Sequence, residues 1–146
     1  MVVHWPPNLI RIRNIFVGIG TKSLRWCYCL DVTAQAGHLD IVKYLAGEKA
    51  ACVDAAQEDG GTALLSAAHA GHLDIVKYLA GERAACVDAA QGDDITPLMS
   101  AAHKGHLDVV KYLAGEKAAS VDAAQEDGGT ALLSAARAYQ YEQLQA

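Results

Sequence analysis

The chain of 146 residues holds only three prolines, one phenylalanine and two tryptophans. So little proline, beside 52% hydrophobic and 20% charged residues, excludes a disordered chain and leaves a globular one with room for a core. No apolar run comes near the roughly 18 residues of a membrane span; "IFVGIG" is short and flanked by charge and glycine. No small-residue cleavage site follows an apolar core, so secretion is not expected. Cysteine is scarce, at four, and Cys52 and Cys86 stand at matching places in a pattern whose third place is Ser120. A disulfide framework or a structural metal does not tolerate that exchange, so reduced thiols in a reducing compartment are expected. Acid is missing from residues 1–30, which carry Arg11, Arg13, Lys22 and Arg25, whereas the remainder has eight bases and seventeen acids, a net charge of -9. A body that acidic excludes phosphate-backbone binding, so no nucleic-acid partner is expected, and no membrane partner either.

What the sequence has in abundance is itself. "GHLDIVKYLAGE" stands at Gly37–Glu48 and again at Gly71–Glu82, and it returns at Gly105–Glu116 with Val109 in place of Ile. Val53, Val87 and Val121 keep the same 34-residue step, as do Thr62, Thr96 and Thr130. A fixed period of 20–50 residues implies a solenoid, in which each unit buries its apolar face against its neighbours. The segments Glu48–Gly71 and Glu116–Tyr139 differ only at Cys52/Ser120, His69/Arg137 and Gly71/Tyr139, closer than packing requires, which points to recent duplication.

Within a period, "TALLSAAHA" (Thr62–Ala70) reads as a short helix with Thr62 as its N-cap. Gly71 ends it, since glycine takes the left-handed conformation without strain. "HLDIVKYLA" (His72–Ala80) reads as a second helix with two apolar stripes, one of Leu73, Val76 and Leu79 or Ala80, the other of Ile75 and Tyr78. A helix apolar on two sides suits a stacked array. "GERAACVDAAQGDDI" has little helical periodicity and ends in acidic turn residues, so it should form an extended, hairpin-like finger.

The tetratricopeptide repeat shares the period but is nearly all helix, which "VDAAQEDGG" does not fit. The chain instead resembles the ankyrin repeat, through "TPLMSAAHKGHLDVVKYLA" (Thr96–Ala114), "TALLSAAHAGHLDIVKYLA" (Thr62–Ala80), "TALLSAARA" (Thr130–Ala138) and "TAQAGHLDIVKYLA" (Thr33–Ala46). The resemblance implies an all-α helix-turn-helix solenoid with finger loops, about three full repeats plus a terminal half repeat. Its units fall near 28–61, 62–95 and 96–129, with the half unit at 130–138. The motif histidine of the family is replaced by Leu65, Met99 and Leu133, and the period is 34 where the family's is 33. The extra residue falls between Gly47 and Cys52, and Ala50 stands where the family often has glycine, so an outer-helix end longer by one residue or differently wound is expected.

Residues 1–27 match nothing in the repeat and are expected to be a loosely ordered lead; a cap on the first repeat and an organelle transit segment are the rival readings. At 139–146, "YQYEQLQA" replaces "GHLDIVKY", and loss of glycine at Tyr139 lets the helix run on as a makeshift cap.

No motif carries catalysis. "GIGTKS" lacks the spacing of a phosphate loop, and Ser66, Ser100 and Ser134 are repeat-equivalent, which argues against one catalytic serine. The pairs His69/His72 and His103/His106 straddle a helix-ending glycine, so neither a metal nor any other cofactor is expected. Lys43, Lys77 and Lys111, each three residues after an Asp, read as solvated faces with weak ion pairs. Two rows read as partner-binding. Finger-tip acids form the first: Asp54, Glu58 and Asp59; Asp88, Asp93 and Asp94; Asp122, Glu126 and Asp127, with no base among them. Stacking aligns all nine into an edge that steers a basic partner. The second row, Gln35, His69, His103 and Arg137 with Ser66, Ser100 and Ser134 one turn earlier, faces the concave groove by resemblance. The expectation is a non-catalytic protein-interaction module for a protein with a basic surface, in the cytoplasm or nucleus, with no small-molecule ligand. Organelle targeting by residues 1–27 is the minor alternative for its location. A regulatory or targeting piece of a larger enzyme or channel, and a duplicated relic without its own function, remain alternatives for its role.

Overall fold

The computed structural model describes residues 22–145 apart from 50, 58, 59, 93 and 126, with side chains from 27 to 140. Among the described residues seven α-helices follow one another: α1 (Lys22–Gln35), α2 (Leu39–Lys43), α3 (Ala63–Ala70), α4 (Leu73–Lys77), α5 (Pro97–Lys104), α6 (Leu107–Lys111) and α7 (Ala131–Gln145). The odd-numbered helices stack on one another as an inner layer, α1 on α3, α3 on α5 and α5 on α7. The even-numbered helices form the outer layer, each packed against the inner helix before it. This is the all-α solenoid expected from the 34-residue period.

The inner helices start and stop where the sequence says they should. The hydroxyl oxygen of Thr62 accepts the Leu65 N–H at 3.3 Å, and Thr96 and Thr130 do the same for Met99 and Leu133. Each thereby satisfies one of the donors a helix start leaves open. At the other end Gly71 sits at φ +80°, and the His72 N–H turns back to the Ala67 carbonyl at 3.0 Å. A side chain at Gly71 would meet the His106 ring at 2.7 Å, so the turn and the next unit both demand glycine. Where Tyr139 replaces that glycine, α7 runs on to Gln145.

Between the layers lies a continuous core. Leu64 and Leu98 from the inner helices, and Ile75, Val76, Leu79, Val109 and Leu113 from the outer helices, are all but fully buried. Both stripes of the second helix are used, because Val76 and Leu79 on one and Ile75 and Tyr78 on the other are buried, while Leu73 is half-buried.

The extra residue of the period takes a definite form. Each outer helix ends in a π-helical turn, at Tyr44–Glu48, Tyr78–Glu82 and Tyr112–Glu116. The Lys49, Arg83 and Lys117 N–H groups reach back five residues to Tyr44, Tyr78 and Tyr112, at 3.0–3.1 Å. A wider turn accommodates one residue more than an α-helical one over the same rise. The chain then leaves through a left-handed residue, Ala84 at φ +51° and Ala118 at φ +50°. Their counterpart Ala50 is outside the described residues.

The fingers are hairpin-like. Gln57, Gln91 and Gln125 donate their N–H groups to Gly61, Ile95 and Gly129 at 2.8–3.0 Å, closing a tight tip. Gln91 and Ile95 form an isolated antiparallel bridge. Among the described residues one in each tip is left-handed: Gly60, Asp94 and Gly128 at φ +83°, +59° and +78°. Aspartate tolerates that conformation better than most side chains, which lets the second finger do without the glycine.

Two boundaries differ from the expected ones. α1 begins by Lys22, so residues 22–27 belong to the first helix rather than to a separate lead. α7 crosses the junction at 138/139 without interruption. The rest of the lead, residues 1–21, lies outside the described residues. Among the described helices none is long and apolar enough to cross a membrane.

Candidate functional site

The second row of sequence candidates is a real column. Gln35, His69 and His103 lie in the last turn of an inner helix, Arg137 holds the matching place within the longer α7, and all four are exposed. The backbone beneath two of them is clamped from the next unit: the ring of His72 bonds the Gln35 carbonyl through Nε2 at 3.1 Å, and that of His106 bonds the His69 carbonyl at 3.0 Å. These histidines belong to the junctions between units. Among the described residues no group of three or more histidine, cysteine, aspartate or glutamate side chains is placed to hold a metal ion.

The serines one turn earlier point into those junctions. Ser100 is buried and its Oγ lies 3.0 Å from His69 Nδ1. The Ser66 hydroxyl donates to the Asp31 carboxylate, which also accepts from Gln57 Nε2. Ser134 is half-buried in α7. Ser66 and Ser100 therefore brace the column, and only its four outer members present a free surface. Partial desolvation of the ring, whose one side rests on the next unit at Ser100, is the main effect that holds the His69 pKa below the ordinary histidine value; Lys104, His103 and His106 add to it by repulsion.

Asp31 went unread in the sequence. It occupies, in the first unit, the place of Leu65, Met99 and Leu133, and it is buried. Counting the period back into Tyr28–Asp31 would have exposed it as an acid at an apolar position, with Ser66 and Gln57 from the second unit as its partners.

The acidic row needs correction. Of its nine members Glu58, Asp59, Asp93 and Glu126 lie outside the described residues. Asp54 and Asp88 are not free carboxylates: Asp54 Oδ1 accepts the Cys86 N–H at 2.7 Å, and Asp88 Oδ1 accepts the Ser120 N–H at 2.9 Å. Each ties its finger to the next one. Asp127 accepts the Gly129 N–H at 2.9 Å and meets Arg137 Nη1 at 3.5 Å, so a base does reach this tip. The Gly129 N–H first, and Arg137 second, hold the Asp127 carboxyl below its usual range. Asp94 and Asp122 are exposed, and no hydrogen bond to their carboxylates is made among the described residues. Among the five described members of the row, two carboxylates are open and three are engaged.

The lysine row is corrected too. Lys43 and Lys77 hold their ammonium groups 5.6 Å from the ring centres of Tyr78 and Tyr112 in the following unit. Asp74 and Asp108 accept the N–H of the residue after each instead, at 2.9 and 2.8 Å. Arg137–Asp127 is the one ion pair among the described residues. A cation over a ring face at an exposed site contributes about 0.5–1 kcal/mol, so the lysines help to stack the units.

A family model described as ankyrin repeats in three copies matches residues 21–91 and 82–145. No curated protein matches the chain.

Proposed function

Because the chain belongs to the ankyrin-repeat family, we propose that it is a non-catalytic adaptor that binds a protein partner through the exposed column of Gln35, His69, His103 and Arg137. Ankyrin repeats are as a class protein-interaction modules, and the fold is typically non-catalytic. The observation that carries the reading is the column's variability. Its four places hold three residue types, Gln, His twice and Arg, in a chain that elsewhere copies whole segments of its units, and they are exposed on a backbone clamped by His72 and His106. Rigid presentation of variable side chains lowers the ordering cost of binding.

The partner presents a basic surface in this reading, because the chain beyond residue 30 carries a net charge of -9 and Asp94 and Asp122 are exposed. Such charge steers encounter more than it tightens the complex.

Affinity capture with the full chain, run beside a variant carrying Gln35→Ala, His69→Ala and His103→Ala, tests the proposal. The captured protein should be lost with the variant while the unfolding midpoint moves little. Its association with the wild type should slow as salt rises, since the Debye length shortens. A partner held equally by both chains would overturn the column as the site.

A further inference from the structure

Among the described residues His69 is the one member of the exposed column that the next unit holds at two points. The ring of His106 bonds its carbonyl oxygen at 3.0 Å, and Ser100 Oγ lies 3.0 Å from its ring Nδ1. Gln35 is held by its carbonyl alone, and no hydrogen bond to the ring of His103 is made among the described residues. The Ser100 hydroxyl fixes which nitrogen of the His69 ring carries the proton. Ser100 is 6% exposed, and its hydroxyl bonds only His69 Nδ1 among the described residues. A hydroxyl on a helix can instead donate to the carbonyl one turn back, as Thr33 does to Cys29 at 2.7 Å, but Ser100 makes no such bond among these residues. If Nδ1 carried the proton, Oγ would accept it, and the serine's own O–H would be buried without an acceptor, at the cost of its desolvation. The hydroxyl therefore donates and Nδ1 accepts. The ring is neutral at neutral pH, since partial desolvation holds its pKa below the ordinary histidine value. Its single proton then sits on Nε2, which has no partner among the described residues. When the ring is protonated Nε2 keeps its proton, so this atom is a donor in either state.

We propose that His69 is the specificity-determining residue of the column, a fixed Nε2–H donor that requires an acceptor oxygen on the protein partner, and that Ser100 is its positioning residue. The inference rests on the column being the binding surface. On a basic partner the acceptor is a main-chain carbonyl, because lysine and arginine side chains offer only donors and would meet Nε2–H donor to donor. His103 has no such serine contact, so its ring exchanges tautomers and turns either a donor or an acceptor outward. A ring already set by Ser100 loses little freedom when the partner arrives, which favours His69 over His103 as the selective contact.

Long-range proton–nitrogen NMR of the full chain, recorded above the ordinary histidine value of about 6.5, reads the tautomer of each ring. His69 should show a pyridine-type Nδ1 and a pyrrole-type Nε2, like His72 and His106, whose Nε2 atoms must donate to carbonyl oxygens. Ser100→Ala should move His69 to the averaged signals of a ring in tautomeric exchange, as expected of His103, with helical circular dichroism unchanged. If Ser100→Ala lost helical signal, the wild-type spectrum alone would decide. A proton on Nδ1 in the wild type, or a His69 spectrum indifferent to Ser100→Ala, would overturn the positioning role. With the captured protein as probe, His69→Gln keeps a donor and should bind within about twofold of wild type, whereas His69→Glu offers only acceptors and should bind about tenfold more weakly. The charge added by His69→Glu attracts a basic partner, so steering alone predicts the opposite sign. Equal binding by His69→Glu and wild type would overturn the donor role. A captured protein indifferent to the triple column variant would remove the binding surface and the donor role together, while the spectrum still reads the part played by Ser100.

Discussion

Replacing Ala84 and Ala118 by glycine should make the array more stable, against the usual expectation for removing a side chain from a helical protein. Both alanines are left-handed, at φ +51° and +50°, and both are exposed, so their methyl groups contribute little burial. An L-residue with a Cβ in that conformation costs about 1–2 kcal/mol. Glycine removes this strain but adds freedom to the unfolded chain, a loss of about 0.4–1 kcal/mol. The difference is a gain of about 0.5–1 kcal/mol per site. The two sites lie in different units and share no hydrogen bond in the structure, so the double variant should gain about 1–2 kcal/mol. Urea unfolding followed by circular dichroism would read this as a higher midpoint at unchanged slope. Ala80→Gly is the matched control, because Ala80 is 5% exposed within the π turn. There the same chemical change removes burial and helix propensity, and it should destabilise by about 1 kcal/mol or more. If Ala84→Gly and Ala118→Gly lowered the midpoint as Ala80→Gly does, the left-handed exit from the π turn would be wrong.

Leu79→Ala should cost about 2–5 kcal/mol, because Leu79 is fully buried with units on both sides, while Lys77→Ala should cost about 0.5–1 kcal/mol through its place over Tyr112; equal losses in chemical denaturation would contradict the assigned faces. Asp88→Ala should lose about 0.5–1.5 kcal/mol with the Ser120 hydrogen bond, and Asp122→Ala, at the matching place, about none; a similar loss at both would mean that the finger-to-finger bond is not the cause. His69 binds its proton less readily when folded than when unfolded. The stability it contributes is therefore complete above the unfolded value of about 6.5 and declines as pH falls through it toward the folded value. Wild type should accordingly lose stability relative to His69→Gln as pH drops below about 6.5 in parallel melts, and a difference that stayed constant across pH 5–8 would refute the link.

Much of the fold was legible because local chemistry and period agree. Thr62, Thr96 and Thr130 cap helices by contacts three residues away, and Gly71 and Gly105 end them within one turn, so a reader of the sequence needs nothing distant to place them. The column of Gln35, His69, His103 and Arg137 was legible for a related reason: equal spacing in a stacked array means equal position. The acids were misjudged because the fate of a carboxylate is not local. Asp54 meets a backbone donor 32 residues on, and Asp31 meets Ser66 35 residues on, and no pattern within either segment announces the partner.

The sequence by itself determined that the chain is a stack of like units, since a repeat that is apolar on two sides can bury itself only against copies of itself. Its resemblance to the ankyrin repeat, whose period is 33, also placed the one extra residue between Gly47 and Cys52. Tertiary structure alone decided that this residue becomes a π turn leaving through a left-handed alanine, and that lysines seek the next unit's tyrosine rather than their own aspartate. It likewise decided which acids stay open to a partner. These outcomes depend on how far one unit is set from the next, a distance that packing of the buried layers establishes and that no single unit encodes.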